Sequence, residues 1–130
     1  MKLSEAEVRK WAKLYSDELM NFNDEDFEYI VGIGKLLDVI LLPEDSGIIG
    51  YITNKDFDCK KKLSVVIFYC KPEQRGKYLR YMFREIERVA KQEGAVKVSI
   101  GSSISGYKEA KFNRMLEYFG YRNNGYIKEI

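Results

Sequence analysis

The order of segments in this 130-residue sequence predicts an α/β (α+β) domain, one mixed sheet covered by helices on both faces. Three observations carry the prediction. Amphipathic helical stripes alternate with short β-branched runs. The run at residues 63–70 is apolar on both sides, as a strand buried between two layers must be. Glycines and prolines stand where segments need to stop. The length suits a single domain over residues 1–130, and 45% hydrophobic with 32% charged residues describes a chain able to bury a core.

Taken in order, Ser4 followed by Glu7 is a capping box that opens a helix. Val8, Trp11, Ala12, Tyr15, Leu19 and Phe22 then repeat at helical spacing through about residue 22. The acidic residues 23–33 allow a short second helix ending near Gly32 or Gly34. Residues 37–42 read as a strand stopped by Pro43, and residues 48–53 as its hairpin partner across the turn Glu44-Asp45-Ser46-Gly47. Residues 54–62 are a polar loop or strand end, and Pro72 closes the central strand. Leu79, Met82, Phe83, Ile86, Val89 and Ala90 line one face of the clearest helix, with Gly94 at its C-cap. Residues 95–100 form another strand and residues 101–106 a small-residue loop. Phe112, Met115, Leu116 and Phe119 mark a last helix stopped by Gly120. Residues 121–130 hold one or two short strands around Asn124-Gly125.

Composition excludes whole classes of chemistry. With no histidine, Ser-His-Asp and Cys-His catalysis and His-ligated metal sites are ruled out. Cys59 and Cys70 are too few for a Cys₄ site or a disulfide framework, so no metal is expected. The longest apolar run is the six residues 65–70, far short of the roughly 20 that span a bilayer, and the first residues lack an apolar signal core. The expectation is an intracellular, cytoplasmic protein without a membrane partner.

Net charge is only +2, but it is unevenly spread. Asp17, Glu18, Asp24, Glu25, Asp26 and Glu28 fall where no Lys or Arg occurs between Lys13 and Lys35, whereas residues 71–97 carry eight basic against four acidic residues. Arg75, Lys77, Arg80, Arg84 and Arg88 make one helix basic. The near-neutral total and the lack of an aromatic–basic stacking pattern on its outer face argue against nucleic acid as a partner.

The junction at Pro72-Glu73-Gln74-Arg75-Gly76-Lys77 is the most informative feature. It opens the long helix directly after the central strand, and free N–H groups with the positive dipole end make such a start an anion site. Here the sequence resembles the GNAT superfamily of acyl-CoA N-acyltransferases. Residues 71–77 look like that family's pyrophosphate-binding signature, Ile49-Gly50-Tyr51 like its third strand, and Glu93-Gly94-Ala95 like the turn before its fifth strand. Leu116-Glu117-Tyr118-Phe119-Gly120-Tyr121 resembles the box of its last helix. The match covers roughly residues 37–130; the N-terminal helix has no convincing first strand before it.

The resemblance implies a mostly antiparallel, twisted GNAT-like sheet and an acetyl-CoA-dependent N-acetyltransferase acting on a primary amine. Phe68, Tyr69 and Cys70 would flank the pantetheine arm. Backbone groups of Arg75, Gly76, Lys77, Tyr78, Leu79 and Arg80 would hold the pyrophosphate. The acceptor is a small-molecule or protein amine, expected near the acidic residues Asp24 to Glu28, and family members are often homodimers. The sequence departs from the family pattern in places. Tyr78 and Arg80 stand at two positions the family keeps small, and Leu116 stands where a general-acid tyrosine often lies. Tyr118 is about 200° away on the helix. Glu109 replaces a frequent Asn, and residues 63–70 offer no carboxylate base. Tyr107 in the preceding loop is the candidate substitute acid. A GNAT-like fold that has lost acyl transfer and serves as a protein-binding module is the alternative.

Overall fold

The computed structural model describes residues 1–100, 109–122 and 126–130. The predicted capping box is formed: the Glu7 N–H donates to Ser4 Oγ, and the Glu7 carboxylate reaches back to the Ser4 N–H, opening α1, Glu5–Tyr15. The apolar repeat that predicted one helix to residue 22 is divided. After Tyr15 the chain widens into a π-helical turn, Ser16–Met20, which ends at Asn21 in the left-handed region (φ 49°). Asn23 then caps α2, Asp24–Gly34, with its side chain on the Asp26 N–H.

Strands β1 (Asp38–Leu41) and β2 (Gly47–Lys55) form the expected hairpin around a 3-10 turn, Pro43–Asp45. Then follow β3 (Lys61–Cys70), a second 3-10 turn (Pro72–Gln74), α3 (Arg75–Gln92), β4 (Lys97–Ile100), α4 (Glu109–Tyr118) and β5 (Ile127–Glu129). Gly94 (φ +81°) and Gly120 (φ +93°) end α3 and α4 as predicted, in the conformation that side chains resist. The loop at 101–106 and the turn at Asn124-Gly125 lie outside the described residues.

The five strands run in sequence order across one sheet, antiparallel except for the parallel pair β3–β4 that the α3 crossover makes possible. Among the described residues no strand precedes α1. The N-terminal segment instead runs beside the outer edge of β1, where the Val39 N–H donates to the Met1 carbonyl (2.8 Å).

Each face of the sheet has its own core. On one, Val8, Trp11, Ala12 and Tyr15 of α1 and Val31 of α2 pack on Val39, Ile48 and Tyr69. On the other, α3 and α4 press Met82, Phe83, Ile86, Phe112 and Leu116 onto Ile49, Leu63, Val65, Phe68 and Val98. β3 therefore contributes to both cores, Leu63, Val65, Phe68 and Cys70 to one and Ile67 and Tyr69 to the other, as the apolar residues on both sides of this run predict.

Candidate functional site

Alternation along β3 breaks once. Gly50 pairs with Ile67 and Tyr51 with Val65, so Val66 is an extra residue in the strand. Such a bulge bends its strand and sharpens the local twist. The parity of the side chains switches across it: Leu63 and Val65 face α3 and α4, and beyond the bulge Phe68 and Cys70 do. Gly50 sits opposite the bulge because a Cβ there would meet Leu37 Cδ1 at 2.9 Å.

The described parallel ladder reaches up to this bulge. β4 pairs with β3 from Lys62 to Val65, with Val65 opposite Ile100. Beyond the bulge β3 leads straight through the 3-10 turn into the first turn of α3. There Gln74 offers no side-chain cap, and Gly76 is exposed with open space where a Cβ would be. Backbone N–H groups of a first helical turn lack intrahelical partners, so the helix start presents donors just beyond the end of β3.

The side chains named from sequence divide into three groups here. Phe68 is fully buried, with Phe83 and Phe112 rings at 5.2 and 5.6 Å, so only its backbone is available. Tyr78 is also buried. It lies edge-on to Tyr81 at 6.1 Å within the core cluster, so it belongs to the core stripe of α3. Leu79 is half-buried against the same core.

Tyr69, Cys70, Arg75 and Lys77 form the second group, already engaged within the chain. Tyr69 turns to the α1 face between Trp11 and Tyr15, and its hydroxyl donates to Glu18 Oε2 at 2.7 Å. The Arg75 guanidinium donates through Nε to the Cys70 carbonyl (2.9 Å) and through one terminal nitrogen to Glu18 Oε1, with its centre 6.0 Å from the Tyr69 ring. Burial pushes the Cys70 thiol pKa up, with Arg75 opposing. The Lys77 ammonium sits 3.3 Å from Glu44 Oε2 and 5.1 Å from the Tyr78 ring; its hydrogen bond to Glu44 holds its pKa high and that of Glu44 low.

Gly76 and Arg80 are the third group. Both are exposed, and Arg80 has no ion-pair partner among the described residues. It borders a groove of about 230 Å³ with Arg84, Tyr118 and Phe119.

Leu116 is fully buried while Tyr118 is 74% exposed, so the rotation expected between the two is present, and neither puts a hydroxyl at the family's tyrosine position. Tyr107 lies outside the described residues. The acidic residues Asp24 to Glu28 form the start of α2, where Glu28 receives a fork from Arg9 at 2.8 and 2.9 Å.

The residue that sequence reading did not single out is Glu18. It sits in the π-helical turn, only 23% exposed at its side chain, over the end of β3 and against the start of α3. No local signal marks it, since Tyr15, Leu19 and Phe22 keep a spacing that an ordinary helix also gives.

At the start of α3 Gly76 is exposed and carries no Cβ, the Arg80 guanidinium is exposed with no ion-pair partner among the described residues, and Tyr78 points inward, so side chains leave the helix start open to an anion. Among the described residues no cluster of His, Cys, Asp and Glu suits a metal, and no helix is long and apolar enough to cross a membrane.

No protein-family model matches the chain, and no curated protein does. Among solved structures, it is similar to an acetyltransferase of Trypanosoma brucei, with TM-score 0.63 at 13% identity over 95% of this chain and 92% of that one. It is similar, too, to an aminoglycoside acetyltransferase from an uncultured soil metagenomic sample, with TM-score 0.61 at 13% identity over 95% and 91%. The mixed, mostly antiparallel sheet with helices on both faces is the GNAT-like fold of these acetyltransferases, in a widely divergent sequence.

Proposed function

We infer that the chain is an acetyl-CoA-dependent N-acetyltransferase that passes the acetyl group to a primary amine by direct attack. One observation carries this reading: β3, turned by the Val66 bulge, leads directly into an exposed helix start with no side-chain cap. The donor supplies an activated thioester. Backbone groups of Phe68, Tyr69 and Cys70 pair with its extended arm, and a strand N–H there polarises the acyl carbonyl. The amides from Arg75 to Arg80 hold the pyrophosphate, with the Arg80 guanidinium in reach of solvent-borne phosphate.

Only about one lysine-like amine in 10³ to 10⁴ is neutral at pH 7. Residues 63–70 contain no carboxylate, so positioning does most of the catalytic work and water carries the proton. The acceptor is a small-molecule or protein amine, and the setting is cytoplasmic, with a homodimer as the assembly.

Leu116 in place of a tyrosine and the engaged side chains of Arg75, Lys77 and Tyr78 favour a second reading, a GNAT-fold module that binds a protein and no longer transfers acetyl groups. Thermal unfolding with acetyl-CoA, with ADP as control, separates the two. A donor at a hundred times its Kd adds about 2.7 kcal/mol and raises Tm by several degrees. Gly76→Pro or the pair Arg75→Glu/Lys77→Glu abolishes that rise. No rise at saturation sinks the enzyme and leaves the binding module.

A further inference from the structure

Glu18 and Arg75 join two parts of the chain 57 residues apart, and they do so across the mouth of the donor site. The carboxylate comes from the π-helical turn after α1. The guanidinium comes from the first residue of α3, where the resemblance puts a pyrophosphate contact. Tyr69 supplies the second donor to the carboxylate, so both of its oxygens are engaged. The arginine keeps a separate hold on β3 through Nε and the Cys70 carbonyl.

We propose that this pair is a latch. In the free chain Glu18 holds one terminal nitrogen of Arg75, and the donor's pyrophosphate takes it when it binds. The Nε contact keeps the side chain at the site throughout. The exchange leaves Glu18 on Tyr69 alone, with one oxygen open toward the α1 side of the cleft, where a cationic amine can meet it. Guanidinium N–H groups make charge-assisted bonds to phosphate and carboxylate oxygens alike, so the two compete for that nitrogen.

The pair is partly solvated, at 27% and 23% side-chain exposure, so it opens without stranding a buried charge. The neighbouring Lys77–Glu44 pair, at 60% and 59%, is too open to exert comparable hold. The latch rests on the acyl-CoA reading, and it makes donor affinity the quantity that Glu18 restrains.

The test is calorimetric titration of CoA into the wild type, Glu18→Gln, Arg75→Ala and the double variant, with Glu44→Gln as a control for loss of a nearby negative charge. Glu18→Gln is expected to bind CoA about tenfold tighter, the scale of one charge-assisted hydrogen bond. That gain is expected to vanish in the Arg75→Ala background and to be much smaller for Glu44→Gln. In the wild type, the Arg75 Nε–H resonance should shift on CoA addition, a readout that holds even where a variant folds poorly. CoA binding to the wild type with an equal or weaker affinity in Glu18→Gln overturns the latch and leaves the acyl-CoA reading intact. Binding only in Glu18→Gln upholds both. No binding to any form overturns both.

Discussion

Phe68 and Tyr69 are consecutive on β3, equally buried, and belong to different halves of the molecule. Phe68 points to the α3 and α4 face, where its contacts are aromatic and aliphatic: Phe83, Phe112, Met82 and Leu116 surround it in one continuous core. Tyr69 points to the α1 and α2 face, where the core is smaller and a gap of about 20 Å³ remains against the helices. Its hydroxyl ends in the Glu18–Arg75 network. The first face is held mainly by packing, with the Lys128 ammonium bridging Glu87 of α3 and the Phe119 carbonyl at its rim. The second gives up some packing so that polar groups can cross from the helical layer to the end of the sheet. The site lies where those groups emerge.

The sharpest way to break this comparison is to empty the apolar half. Phe68→Ala removes a fully buried ring whose neighbours are held by strands and helices on every side, and is expected to cost about 3–5 kcal/mol. Urea unfolding measures it; a loss below about 2 kcal/mol means that this face collapses readily and is not the rigid half. Tyr69→Phe probes the other side of the same strand. It keeps the ring between Trp11 and Tyr15 and deletes one hydrogen bond to a charged acceptor, for an expected loss of about 1–2 kcal/mol. If it costs as much as Phe68→Ala, the polar network is structural rather than a crossing for ligands.

A smaller effect of opposite sign comes from Tyr121. It packs within the α3 and α4 core, 6.0 Å from the Phe83 ring, and its buried hydroxyl has no hydrogen-bond partner among the described residues. Burial, with Glu87 nearby, raises its pKa well above that of a free tyrosine. Tyr121→Phe removes a polar group that folding desolvates without return, so stability should be unchanged or higher by up to about 1 kcal/mol. A clear loss in thermal unfolding reveals a partner for the hydroxyl and makes this face less purely apolar.

Which parts of this arrangement were legible in the sequence follows from how local each one is. The capping box of Ser4 and Glu7, the stops at Pro43 and Pro72, and the positive-φ ends at Gly94 and Gly120 are dictated within a few residues, and all were readable. The Val66 bulge was not. In an alternating strand an inserted residue shows as a slip in the pattern, but Val65, Val66 and Ile67 are all apolar and the strand is buried on both faces, so parity leaves no trace. The π-helical turn was hidden likewise, because Leu19 and Phe22 fit the unbroken helix too. The Glu18–Arg75 contact spans 57 residues and exists only once both turns are in place. Arg75, Gly76 and Lys77 were thus placed at the right end of the right helix, while the partners that restrain two of them came from elsewhere.

The weakest lever on the comparison is acid, and it acts on the α1 and α2 half. α1 is tied to its surroundings by surface ion pairs: Lys35 to Glu5, Arg9 to Glu28, and Lys10 to Asp45. In each case the hydrogen-bonded cation lowers the carboxyl pKa, for Glu5 and Glu28 from an ordinary 4.5 and for Asp45 from 3.8. A lowered folded pKa means that the unfolded chain binds more protons as these groups titrate, so stability rises with pH through that window. The contribution is present above the ordinary values and is lost as pH falls through the lowered ones. All three pairs are exposed, so the effect is small and salt screens it. Urea midpoints between about pH 3 and pH 7 should therefore stay flat down to the ordinary carboxyl range and then fall, more gently in high salt. Replacing Glu28 by Gln should reduce that fall. An acid loss untouched by salt and by Glu28→Gln places the responsible carboxylate outside these three pairs.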